Sequence, residues 1–114
     1  MGNAGPQRRR FPRYRIDLEV TVYVGTKAVP ARITQVSRGG CLIHPPLPAQ
    51  PTSAVKLSFR LSEDLGPINC IGEIVYNISD VGTGIAFTEI SIHNQDLITD
   101  FFAQRAAAGQ PADV

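Results

Sequence analysis

The 114-residue sequence contains no tryptophan, one methionine, two cysteines and two histidines, and each shortage removes a class of explanation. No apolar run approaches the roughly 18 to 20 residues that a membrane-crossing helix needs. The Arg-rich beginning is not followed by the apolar core of a secretory signal, so the chain reads as cytoplasmic, without membrane insertion. Cys41 and Cys70 each lie in an apolar run, which in a reducing compartment reads as buried free thiols rather than a disulfide. No Cys/His pair has metal-ligand spacing: His44 precedes two prolines and His93 lies near a helix start, so neither a metal nor another cofactor is expected. Ser37 has no histidine nearby in sequence, and neither a paired-carboxylate site nor a Gly-Lys phosphate loop is apparent, so an enzyme is not expected.

What is present is unevenly placed. The stretch Arg8-Arg9-Arg10-Phe11-Pro12-Arg13-Tyr14-Arg15 holds five of the eleven Lys+Arg residues. Removing those five leaves six basic residues against ten acidic ones, so a net charge of +1 for the chain becomes −4 for the rest. The positive field belongs to one short arm, whose guanidinium forks suit phosphate, nucleic acid or an acidic protein surface. A solvated, flexible head is the blander reading of the same residues.

The remaining chain is long enough for one core. Ile16, Leu18, Val20, Val22 and Val24 alternate with polar neighbours, Gly25-Thr26-Lys27 turns the chain, and Val29, Ala31 and Ile33 return on one face. This is a hairpin pattern. Gly39-Gly40 interrupts it, permitting positive φ and a close approach of backbone to a neighbour. Cys41 to Ile43 resumes a short strand, which Pro45, Pro46, Pro48 and Pro51 end. Val55, Leu57, Phe59 and Leu61 share a face, as do Ile68, Cys70, Ile74 and Tyr76, with Gly72 marking a bulge or bend. Gly84 to Phe87 closes the set. Leu97, Ile98, Phe101 and Phe102 then recur as one helical stripe, with Ser91 or Asn94 as N-cap; this helix should cover an open mouth or face of the sheet.

The expected fold is therefore mainly β: a six-stranded antiparallel β-barrel with a C-terminal α-helix and a flexible Arg-rich N-terminal arm. The boundaries are a head over 1–7, one domain over 8–105 and a frayed tail over 106–114. Within the domain, the basic arm spans 8–15, the barrel 16–88 and the helix 91–105.

Hairpin geometry places the start of the first strand beside the end of the second, which brings Arg13 next to Gln35-Val36-Ser37-Arg38-Gly39-Gly40. Together these supply arginine forks, an amide, a hydroxyl and bare backbone, an inventory that suits an anionic nucleotide. An ordinary Gly-Gly turn beside a solvated arm uses the same residues, and residue types do not name a ligand.

The two clusters resemble the two-part signature of PilZ domains, bacterial receptors for cyclic di-GMP: Arg-x-x-x-Arg, then Asp/Asn-x-Ser-x-x-Gly. The first part is Arg9-Arg10-Phe11-Pro12-Arg13, preceded by Arg8, and the second is Gln35-Val36-Ser37-Arg38-Gly39-Gly40. Gly72-Glu73-Ile74-Val75-Tyr76 and Gly82-Thr83-Gly84-Ile85-Ala86-Phe87 resemble the family's late strands. The resemblance runs from about Arg8 to the helix near Arg105 and implies the same barrel with a C-terminal helix. It further implies that Arg9 and Arg13 grip phosphate and guanine, that Ser37, Gly39 and Gly40 line the pocket, and that Arg8 suits a stacked nucleotide pair. Gln35 departs from the pattern, adding a methylene and replacing an acceptor-only carboxylate or a shorter amide.

The function so implied is a cyclic di-GMP receptor or adaptor, monomeric or weakly dimeric, whose arm changes conformation on binding and signals to a downstream protein partner. The alternative is a degenerate member that acts through protein contacts without the nucleotide. Nonspecific binding of a nucleic-acid polymer is disfavoured, because the body outside the arm is acidic and aromatics for stacking are scarce.

Overall fold

Period-two alternation needs a sheet with one face buried, and a closed sheet satisfies this for every strand at once. The computed structural model describes residues 12–107. Six strands, β1 (Tyr14–Val24), β2 (Lys27–Ser37), β3 (Gly40–His44), β4 (Ala54–Phe59), β5 (Ile68–Ile78) and β6 (Gly82–Glu89), precede one helix, α1 (Ile92–Ala107). All neighbouring strands are antiparallel, and the order β1-β2-β3-β6-β5-β4 closes into a barrel through β1 and β4. The expected fold class is the observed one. The basic segment does not end before the barrel, however: Tyr14 and Arg15 already pair with Val36 and Gln35. The helix also runs on to Ala107, past the expected end at Arg105.

The barrel interior is filled by the residues that the alternation selects. Val22, Ile33, Ile43, Leu57, Ile68 and Ile74 are fully buried, each worth about 1.5 to 3 kcal/mol relative to exposure. The β1–β2 turn is Gly25-Thr26, with Gly25 at φ 62°; positive φ matches the twist of the hairpin and costs glycine little.

Four register shifts interrupt the ladders: one lies in β1 between Arg15 and Leu18, and the other three bear on the outer wall. Ile33 faces Ile43 and Gln35 faces Leu42, so Thr34 is an extra residue in β2. That bulge puts Gln35 on the outer face and turns Val36 inward, where it is 1% exposed. In β5, Ile74 faces Ile85 and Tyr76 faces Gly84, which leaves Val75 as the extra residue. Tyr76 is therefore not on the inward face with Ile68, Cys70 and Ile74, as simple alternation predicts; it lies outside, across Gly84, beside the exposed Val75. At the third, Ile71 faces Glu89 and Gly72 faces Phe87, a register shift where the glycine predicted one.

Each end of the barrel has its own closure. At the end where β1 begins and β2 finishes, Ile98 and Phe102 of α1 enter the core at 0% and 1% exposure, and the Phe102 ring stacks on Tyr14 at 4.3 Å. Ser91 caps the helix: its hydroxyl accepts from the Asn94 N–H at 3.0 Å. Elsewhere, the proline-rich segment after β3 does more than end a strand. Leu47 is buried in the core, its N–H donates to Thr83 Oγ1, and the Asn77 amide donates to the carbonyls of Leu47 and Ala49. Thr83, itself fully buried, donates to Asn77 Oδ1, so this polar cluster is satisfied. Among the described residues, no helix is long and apolar enough to cross a membrane.

Candidate functional site

Four adjacent strands, β2, β3, β6 and β5, present outward side chains that vary sharply in size. One row across them reads Gln35, Leu42, Gly84, Tyr76, continued on β1 by Arg15. The next row reads Ser37, Gly40, Ala86, Glu73. Gly84 in the first row, with Gly40 and Ala86 in the middle of the second, leaves a hollow that the larger residues border. The result is an open cleft of about 310 Å³ on the outer wall, lined by Arg13, Gln35, Ser37, Gly39, Gly40 and Tyr76 among others. That volume lies at the small end of ligand clefts, roughly 300 to 1,000 Å³.

The glycines act through space. A Cβ on Gly40 would sit 2.2 Å from the Ile85 carbonyl oxygen, and one on Gly84 would sit 2.3 Å from the Tyr76 ring. Gly40 thus lets β3 approach β6, and Gly84 lets Tyr76 lie flat against the sheet to form one wall. In the β2–β3 turn, the Ser37 hydroxyl accepts from the Gly39 N–H at 3.1 Å, and the Gly39 carbonyl accepts from the Phe87 N–H at 2.8 Å. The Ser37 O–H retains its own proton for a ligand acceptor.

Arg13 is the guanidinium of the described cleft, and no carboxylate lines it. The cleft can thus offer a charge-assisted fork, an amide, a hydroxyl and exposed backbone to an anion carrying a polar ring. Cys41 forms part of its floor, but burial raises the thiol far above its usual range, with the neighbouring Cys70 adding to the shift. Such a thiol is a packing group rather than a nucleophile.

Of the residues expected from the sequence, Arg13, Gln35, Ser37, Gly39 and Gly40 all meet at this one cleft. Arg8 and Arg9 lie outside the described residues. Sequence reasoning missed Tyr76, because the bulge at Val75 has no residue signature, and it missed Arg38. Although Arg38 lies inside the Gln35 to Gly40 corner, its guanidinium turns to α1, donating to Asp96 Oδ1 and Thr99 Oγ1, each at 2.9 Å. The Gln95 amide returns a hydrogen bond to the Arg38 carbonyl. These partners are 57 to 61 residues away in the chain, a distance at which no local pattern signals a contact. Among the described residues no group of three or more His, Cys, Asp or Glu is placed to hold a metal ion.

Comparison with known proteins agrees with this arrangement. The family model for the PilZ domain matches residues 7–104. Among solved structures, the inhibitor of motility MotI/DgrA of Bacillus subtilis superposes with a TM-score of 0.78 at 19% sequence identity. The match covers 90% of this chain and 53% of that one, so the chain spans about half the length of that neighbour. At this identity the likeness is one of fold. No curated protein matches.

Proposed function

This chain belongs to the PilZ domain family, and from that premise we propose that it is a receptor for cyclic di-GMP, taken up at the outer cleft of the barrel. The observation that carries the reading is the convergence of Arg13, Gln35, Ser37, Gly39 and Gly40, contributed from before β1, from β2, from the β2–β3 turn and from the start of β3, on one hollow. Arg13, joined by Arg8 and Arg9, supplies forks for the two phosphates or the N7 and O6 of guanine. Ser37 and the Gly39-Gly40 backbone border the ring, and Tyr76 offers an aromatic wall.

Binding closes the segment that carries Arg8, Arg9 and Arg13 over the nucleotide, and a protein partner reads the altered surface. The coupling is physical, because a segment that touches both ligand and barrel converts occupancy into shape. The test is a calorimetric titration of cyclic di-GMP into wild type and Arg13→Ala. Saturable heat in wild type, weakened at least tenfold by the substitution, supports the reading; no heat at high micromolar nucleotide, with dispersed NMR peaks showing a folded domain, refutes it.

A second reading has its own support. Gln35 stands where the family signature has Asp or Asn, and Val75, Ile78 and Val81 are exposed on β5 and the β5–β6 turn. These features favour a member that works through protein contacts alone. Such a member retains its partner in a pull-down regardless of cyclic di-GMP and of Arg13→Ala.

A further inference from the structure

Gln35 carries the amide among the cleft-lining side chains, and its chemistry bears on which base the cleft accepts. Thr34 bulges out of the β2 ladder and Gln35 thereby faces the cleft, half-buried, beside Leu42. A carboxamide has one oxygen that accepts and one nitrogen that donates, and rotation about its last bond exchanges the two. Guanine shows an acceptor beside a donor at O6 and N1–H. Adenine shows a donor beside an acceptor at N6–H and either N1 or N7. The amide forms two hydrogen bonds with either purine.

An acceptor-only group behaves differently, since it satisfies the paired donors N1–H and N2–H that guanine alone possesses. No carboxylate lines the cleft. In the two rows that border the cleft the carboxylate is Glu73, across from Ala86 in the second row and outside the lining. Arg13, in contrast, favours guanine: its fork suits the two acceptors N7 and O6, whereas adenine places the N6 donor against it.

Building on the receptor reading, we propose that Gln35 relaxes the purine selectivity of the cleft. It then accepts a cyclic dinucleotide carrying one guanine and one adenine nearly as well as the all-guanine ligand. The arginine keeps one base a guanine, while the amide admits either purine as the other. The all-adenine ligand is disfavoured, because one of its bases must meet the arginine.

The experiment is a competitive titration of three cyclic dinucleotides, all-guanine, mixed and all-adenine, against wild type, Gln35→Glu, Gln35→Asp and Glu73→Gln. Gln35→Glu keeps the side-chain length and exchanges the donor for an acceptor, so it isolates the chemistry of the amide. Thermal melts confirm that each variant is folded. The expected result is a wild type that binds the mixed ligand within about tenfold of the all-guanine one, and a Gln35→Glu protein that rejects the mixed ligand by a further factor of about ten or more, the scale of one good base-edge contact.

Several results overturn the proposal. One is a wild type that binds the all-guanine ligand yet rejects the mixed one by a hundredfold; the receptor reading then stands and this one falls. Another is an unchanged ratio in both Gln35 variants. A Glu73→Gln protein that alone gains the mixed ligand would assign the base reading to Glu73. Binding of none of the three by wild type removes the receptor reading and this one together.

Discussion

Replacing Gly40 by alanine brings a methyl carbon to 2.2 Å from the carbonyl oxygen of Ile85 and 3.4 Å from the Ala86 Cα. Ordinary contact begins at 3.4 Å, so the oxygen has to retreat by about 1 Å to restore normal packing. That oxygen is main chain in β6, held in the β3–β6 ladder where Gly40 itself faces Ala86, so no side-chain rotation relieves the clash. Overpacking of this kind costs about 1 to 3 kcal/mol, and for a domain of this length each kcal/mol lowers the melting temperature by roughly 4 °C. The expected drop is therefore about 4 to 12 °C.

Two other glycines calibrate it. Gly66 has nothing within 4 Å of an added Cβ, and Gly66→Ala should move the melt by no more than about 2 °C. At Gly84 the obstacle is the end of the Tyr76 ring, which can swing away; Gly84→Ala should cost less than Gly40→Ala while reshaping the cleft. The assay is calorimetric or circular-dichroism melting of all three without ligand. A Gly40→Ala protein melting within 2 °C of wild type would refute the reasoning, for it would mean that β3 and β6 do not approach as closely as the cleft requires.

Further outcomes follow from the core and the helix. Phe102→Ala removes a ring at 1% exposure that stacks on Tyr14; an urea melt should show a loss of about 3 to 5 kcal/mol, with Phe102→Leu costing less. Arg38 and Asp96 form a partly exposed pair, so a double-mutant cycle of their alanine variants should give a coupling of about 0.2 to 1 kcal/mol that shrinks in high salt. Burial pushes the Cys70 thiol from 9.0 up to about 11. A raised thiol pKa favours the fold below the unfolded value and is lost as pH rises through the folded one, so stability contributed by Cys70 should fall between about pH 9 and 11 by on the order of 2 kcal/mol. Comparing urea midpoints at pH 8.5 and 10.5 between wild type and Cys70→Ala checks this: the variant should show the smaller decline.

Much of the barrel was legible because alternation is a local property. Val20, Val22, Val55, Leu57 and Phe59 could be assigned inward from their spacing, and all are buried. The stripe of Ile98 and Phe102 marked the helix face in the same way. Failure came where one extra residue shifts the phase. Tyr76 reads as inward after Ile74 until the insertion of Val75 opposite β6 is known, and bulges arise from pairing, which no single strand encodes. Leu47 was hidden for a related reason: prolines announce the end of β3, but only the assembled core shows that the loop returns a side chain to it.

The sequence by itself determined six strands, a closing helix, an arginine-rich entry to β1 and the nearness of Arg13 to the Gln35 to Gly40 corner, because each follows from short-range periodicity and hairpin geometry. Only the tertiary structure decided that β3 lies beside β6, that Gly84 and Tyr76 complete the cleft and that Arg38 turns to α1 instead of the cleft. Those contacts join residues distant in the chain, where register, bulges and the space left by a missing Cβ decide the outcome.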